Sequence, residues 1–366
     1  MSWVRGLFEI ENRDRLLPME GLRGVAVGLV FLQHYCEQFL SIGGLNGATK
    51  AFASAFRLFG NYGVELFFVL SGFLIYGILI RKRPGFMPFM LRRAQRLYPA
   101  FVVALIIGIG IDWIRPVPKI PHGLSSAVAY IAANLAFLPG LFPIEPLFAV
   151  NWSLSYEWWF YACCVTVVSV VDLRRVNPRN RCLGIAAVGL CLVLLSAAGV
   201  PGVPIRGLSF LSGLFLVEVN ALRLGHAPPT LGVLAALLTF ILCVGFVLPG
   251  WFDAVILACG FFTVCSAAFQ GQHFLARVLS SPGLRALGNA SYSFYLVHGF
   301  AVVATIQLLL RLFPSLNRDI VFWVLLAPVF AVAFFVSAVL FLAIEKPFSL
   351  ETNVSKRVAA SAATYT

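Results

Sequence analysis

Three side chains suited to acid–base chemistry, His34, Glu65 and Glu157, stand inside stretches otherwise rich in Leu, Val, Phe and Ala. An imidazole beside a carboxylate is a general-base arrangement, in which the carboxylate fixes the tautomer and stabilises the imidazolium. A second set, Arg23, Arg93 and Arg96, offers guanidinium forks that match paired phosphate oxygens. Arg23 and His34 close the run Arg-Gly-Val-Ala-Val-Gly-Leu-Val-Phe-Leu-Gln-His. Eleven residues make three helical turns to within about 20°, so the two share a helix face ~16 Å apart along the axis. Other readings stand beside these: Arg23 as a snorkelling interface residue, His34 as a histidine satisfied by a neighbouring helix, and the arginine pair as charge facing lipid head groups.

The elements that must position these groups are set by composition. The chain has 366 residues, 60% hydrophobic and only 11% charged, against roughly a quarter charged in soluble domains. Apolar runs recur near 21–41, 60–80, 97–114, 125–141, 152–171, 182–199, 206–222, 230–249, 252–269, 291–311 and 319–344. About twenty apolar residues span a bilayer, so the expected fold is an all-α polytopic membrane helix bundle. That excludes a sizeable soluble domain, a disordered regulator and a free nucleic-acid binder. The first twenty residues carry no pattern of a cleaved signal peptide, and the first span reads as a retained anchor. Basic clusters at Arg81-Lys82-Arg83, Arg92-Arg93, Arg96 and Arg174 to Arg181 mark cytoplasmic loops. The net charge of +12 is then mostly a topology signal. Those two loops can share one face only if the run at 125–141, broken near Asn134 and Pro139, is re-entrant or interfacial. About ten transmembrane helices remain, with both termini cytoplasmic and 351–366 a short cytoplasmic tail.

Depth along these spans sorts the polar residues. Glu65, in Gly63-Val-Glu-Leu-Phe-Phe-Val-Leu-Ser71-Gly72, and Glu157, in Trp152-Ser-Leu-Ser-Tyr-Glu, should each sit ~8 Å below the outer face. They would thus lie near the level of His34, on three separate helices. Ser71-Gly72 also reads as a site of close helix packing. Ser291, Tyr295 and His298 fall on one helix face. His298 would stand ~10 Å above the inner surface, shallower than His34 and outside its cluster, in a conduit-lining or structural role. Pro99 should open the third span, and Glu345-Lys-Pro347 should end the last as a stop signal. The eight cysteines include no CxxC pair, so neither a metal site nor a disulfide framework is expected.

Taken in order, these pieces resemble the membrane-bound acyltransferase-3 family. The likeness rests on Glu20-Gly-Leu-Arg23 with His34, Gly63-Val-Glu65 through Ser71-Gly72-Phe73, and Arg93-x-x-Arg96 with Tyr98-Pro99. It continues through Trp152-Ser-Leu-x-x-Glu157, Ser291-Tyr-x-x-Tyr295-Leu-x-His298 and Glu345-x-Pro347. Glu20 stands where many relatives have Asp. The resemblance implies one transmembrane acyltransferase domain over 1–350, with no fused soluble domain, in the bacterial cytoplasmic membrane. It implies an O-acyltransferase that moves an acyl group, commonly acetyl, from cytoplasmic acyl-CoA to a hydroxyl of a sugar, polysaccharide precursor or lipid-linked sugar. His34 is then the general base, with Glu157 and Glu65 in support. Arg23, Arg93 and Arg96, with Ser71, Tyr295 and His298, would take the acyl-CoA. No cofactor or metal beyond acyl-CoA is implied, membrane lipids are the surroundings, and the oligomeric state is left open. A proton-coupled transporter or an assembly subunit of an envelope polysaccharide complex, its polar residues gluing helices, are the two other classes the buried polar residues fit.

Overall fold

The computed structural model describes Phe8 and residues 16–115, 117–269, 273–312 and 317–351, and among them every long element is a helix. The segments that the apolar runs mark become α1 (Leu17–Ile42), α3 (Gly63–Lys82), α4 (Phe86–Trp113), α6 (Asn151–Val170) and α7 (Pro178–Ala197). They continue as α8 (Gly207–Ala221), α9 (Pro229–Gly245), α10 (Gly250–Ala268), α13 (Ser291–Leu312) and α14 (Arg318–Leu340). Among the described residues seven helical stretches are long and apolar enough to cross a membrane by length and composition, and α8 and α9 are shorter apolar helices. α6 falls outside those seven; its first half carries Asn151, Ser153, Ser155 and Glu157. The tail from residue 352 lies outside the described residues.

Three further helices occupy stretches read from sequence as connectors. α2 (Gly47–Asn61) runs into α3 through Tyr62, while α11 (Phe274–Leu279) and α12 (Pro282–Asn289) fold against α1. The segment after α4 forms α5 (Leu124–Leu135), whose twelve residues span only ~18 Å and cannot cross. Beyond it the chain tucks into the bundle, burying Phe137, Leu147 and Phe148. Asn134, itself fully buried, accepts from the Leu147 amide (3.1 Å) and the Asn151 side chain (2.7 Å). Irregular backbone at depth is stable where protein covers it and its polar groups are paired; here Asn134 supplies part of that pairing.

Close packing depends on small residues, as expected where no water drives helices together. A Cβ at Gly213 of α8 would meet the Val69 carbonyl of α3 at 2.1 Å, and one at Gly288 of α12 would meet the Glu20 carbonyl of α1 at 1.7 Å. Two expectations about helix ends are corrected. α4 begins at Phe86, so Pro99 lies inside it rather than opening it. α14 does not stop near Glu345; it continues as a π-wound segment, Phe341–Glu351, containing Pro347. Glu345 is fully buried within that segment.

Candidate active site

Arg23 and Ser291 set the level of one end of the site, because Arg23 Nε donates to Ser291 Oγ at 3.2 Å. α1 and α13 therefore run side by side from a common level. Around it α3, α4 and α6 enclose a cavity of about 100 Å³ that takes Arg23, Arg93, Arg96, Ser71, Glu157 and Tyr161 into its wall. The sequence places the two α4 arginines at the membrane surface; the structure turns them inward. Tyr292, whose hydroxyl donates to the Leu97 carbonyl at 2.7 Å, ties α13 to the same turn of α4.

Each arginine is held differently. Arg96 Nη2 pairs with Glu345 at 3.0 Å, and Glu345 also accepts from the Ser293 hydroxyl (2.6 Å) and amide (3.1 Å). The expected stop signal is thus a buried counter-charge that fixes an arginine. The Arg93 guanidinium lies over the rings of Phe89 (5.2 Å) and Tyr161 (5.8 Å), an arrangement that holds a cation without neutralising it. Arg93 Nε and Arg96 Nη1 are buried donors with no hydrogen-bond partner among the described residues.

Glu157 belongs to this arginine cavity and not to the level of His34. It accepts from Ser71 Oγ at 2.8 Å and from the Tyr161 hydroxyl. Its expected depth assumed that α6 starts at the outer surface, but Asn151 at its N-terminus is fully buried under the tucked segment. Starting deeper, the helix carries Glu157 down to Ser71. Glu65 is also taken up elsewhere. It accepts from Arg206 Nη1 (2.6 Å) and Ser209 Oγ (2.9 Å) on and beside α8, and Arg206 in turn lies 4.6 Å over the Trp152 ring. Neither carboxylate has a recorded contact with His34.

His34 lines a second cavity, of about 190 Å³, with Gln33, Glu37, Asn61, Trp152 and Tyr295. Its nearest carboxylate is Glu37, 3.7 Å from Nδ1 and one helical turn along α1. That residue is legible in the sequence as His-x-x-Glu at i, i+3, on the same helix as the histidine, whereas Glu65 and Glu157 stand on other helices. His298 is a correction as well. The seven-residue and eleven-residue offsets differ by only ~6 Å of rise, and the two imidazole rings meet with centroids 5.1 Å apart. His298 Nδ1 faces the carbonyls of Phe294 (3.0 Å) and Tyr295 (2.9 Å); a carbonyl only accepts, so Nδ1 carries the proton. Its buried Nε2 has no partner among the described residues.

Val64 and Tyr295 line both cavities. The Tyr295 hydroxyl lies 2.5 Å from Ser153 Oγ, and Ser153 donates to the Val150 carbonyl at 3.0 Å, so the tyrosine donates to the serine. A hydroxyl pair thus stands between an arginine-lined chamber and an imidazole-lined one. A third polar cluster is closed by comparison: Arg181, expected in a cytoplasmic loop, is buried and makes a two-point pair with Glu218 (2.7 and 2.8 Å), to which Tyr76 also donates. It binds α3, α7 and α8 together.

The family model described as an acyltransferase domain matches residues 18–342. The chain is similar to the exopolysaccharide production protein ExoZ of Rhizobium meliloti (strain 1021), 32% identical over 268 residues, covering 66% of this chain and 77% of that protein. It is similar to the O-acetyltransferase OatA of Staphylococcus aureus (strain NCTC 8325 / PS 47), 27% identical over 324 residues, covering 78% of this chain and 50% of that one. The chain thus spans about half the length of the staphylococcal relative. No solved structure matches. With its helices long and apolar enough for a bilayer and the family match running through both cavities, this multi-pass chain belongs to the acyltransferase-3 family.

Proposed function

We propose that the protein is an integral membrane O-acyltransferase that carries an acyl group from acyl-CoA, entering the arginine cavity, to a hydroxyl presented in the His34 cavity. The observation that carries this reading is the pair of buried guanidinium donors, Arg93 Nε and Arg96 Nη1, left without partners in a chamber that leads to Tyr295 and the imidazole beyond it. Charge-assisted bonds from such donors to phosphate are among the strong ones. The cavity is too small for a whole CoA, so the pyrophosphate lodges at the arginines while the arm and thioester reach toward Tyr295.

His34 is the general base of this reading. It takes the proton of the acceptor hydroxyl as that oxygen bonds to the acyl carbon. The carbon–sulfur bond breaks, and the proton passes to the departing thiolate, leaving an ester and free CoA. Glu37, within 3.7 Å of Nδ1, orients the ring so that Nε2 faces the acceptor. Glu157 keeps its two hydroxyl donors and shapes the donor cavity. A relative named as an O-acetyltransferase and another named for exopolysaccharide production support acetyl as the group and a carbohydrate as the acceptor. The basic loops at Arg83 and Arg175 support a cytoplasmic donor face and both termini inside, and the bacterial source of the relatives supports a bacterial cytoplasmic membrane.

The test is transfer of label from [14C]acetyl-CoA to a carbohydrate acceptor by the purified full chain in nanodiscs. His34→Ala should lower transfer by about 10²–10⁴-fold, the range for a positioned general base, while CoA binding persists. Undiminished transfer by that variant removes His34 from the mechanism. Absence of any acyl transfer by the wild-type protein overturns the reading as a whole.

A further inference from the structure

The second cavity has a chemistry distinct from the first. Among the described residues no lysine or arginine lines it; its polar groups are Gln33, His34, Glu37 and Asn61, with Trp152 and Tyr295 as aromatic surface. Arg206 lies over the Trp152 ring at 4.6 Å and is paired with Glu65 at 2.6 Å. One ring face of Trp152 is thereby held, which fixes the indole in place. Gln33 donates to Glu37 at 3.1 Å, and Glu37 stands 3.7 Å from His34 Nδ1. The wall next to the imidazole therefore presents a carboxylate whose charge no lining cation offsets.

From this juxtaposition we infer that the cavity is an acceptor subsite for a neutral sugar unit, with Trp152 stacking on the ring's C–H face and Gln33, Glu37 and Asn61 taking its hydroxyls. The inference rests on the proposed function and deepens it by naming the acceptor's class. Amide and carboxylate groups accept from or donate to neighbouring hydroxyls, and sites of this kind set orientation with a few placed polar groups on an apolar surface. Glu37 sets the sign. A uronate, a sialate or a phosphorylated sugar would bring a second negative charge against a carboxylate that no lysine or arginine of the lining neutralises, which disfavours it. Glu37 thus has two duties, orienting His34 and excluding anionic acceptors.

Saturation-transfer NMR on the full chain in nanodiscs reads sugar binding without requiring turnover, with methyl hexopyranosides as the neutral probes and methyl hexuronides as the anionic ones. The neutral glycosides should show saturation transfer and the uronides none. Trp152→Ala and Asn61→Ala should each weaken neutral-sugar binding at least 10-fold, Trp152→Phe should retain most of it, and Glu37→Gln should admit the uronides. His34→Ala should still bind sugar. CoA binding, measured on every variant, reports that the bundle is intact; where Trp152→Ala fails that check, Trp152→Phe and Asn61→Ala carry the comparison. Equal binding of uronides and neutral sugars by the wild-type protein, or neutral binding unchanged in Asn61→Ala and Trp152→Ala, overturns the subsite. Sugar binding that follows this pattern in a protein that transfers no acyl group would overturn the proposed function and leave the subsite standing.

Discussion

At the residue scale, the arginines and the histidine line two different cavities, and under the proposed function their variants should separate accordingly. Arg96→Ala removes a charge-assisted hydrogen bond worth roughly 1.5–3 kcal/mol, so the KM for acyl-CoA should rise by about 10–100-fold while the acceptor KM stays put. A steady-state titration of each substrate in turn checks this; a rise in the acceptor KM instead would mean that Arg96 serves the other chamber. Glu37→Gln keeps the shape next to Nδ1 and loses the charge that stabilises the imidazolium, so kcat should fall with little change in the acyl-CoA KM. The residue types were visible in the sequence: His34 and Arg23 stand out because polar groups in apolar runs are costly, and Arg93 and Arg96 because paired guanidinium forks suit phosphate. Not all of their partners were. Glu345 looked like the end of a span, yet it faces Arg96 at 3.0 Å, whereas Glu37 could be read from its i, i+3 spacing to His34.

At the scale of elements, helix starts decide depth, and depth decides who meets whom. Glu157 was placed too shallow because nothing in the run Asn151–Tyr161 announces that the preceding loop is buried; only Asn134, bonding to Asn151 at 2.7 Å, reveals it. The π-wound end of α14 is similar. Pro347 signals a stop in a sequence, whereas here the winding changes and Glu345 stays inside. Glu345→Gln should therefore act as loss of a buried partner, costing roughly 3–5 kcal/mol and lowering the thermal midpoint in detergent. Added CoA should recover more stability in this variant than in wild type, because its phosphates offset the uncompensated Arg96. Equal recovery in both would detach Glu345 from the donor site. Gly288→Ala tests the other device: its Cβ would lie 1.7 Å from the Glu20 carbonyl, backbone against backbone, and overpacking of this kind costs about 1–3 kcal/mol or more. Gly28→Ala, which meets nothing within 4 Å, should leave the midpoint unchanged.

At the scale of the whole molecule, composition and Lys/Arg placement were enough to foresee an all-helical, multi-pass bundle, because a bilayer permits few alternatives. The extra helices α2, α11 and α12 escaped notice since amphipathic or short segments carry weak apolar signals. They matter for the site: α2 delivers Asn61 to the His34 cavity, and α12 carries Gly288 against the turn that holds Glu20 and Arg23. Reporter fusions at Arg83 and Arg175 should read as cytoplasmic, and one at Lys119 as external; the reverse pattern would put the arginine cavity on the wrong face for acyl-CoA. The central claim is that one polar route, interrupted at Tyr295, joins the arginine chamber to His34. A single-turnover transfer of [14C]acetyl from acetyl-CoA, comparing His34→Ala with wild type at saturating donor and acceptor, tests it most directly. The account predicts bound donor and labelled acceptor formed about 10²–10⁴-fold more slowly in the variant; labelled acceptor at the wild-type rate would contradict it.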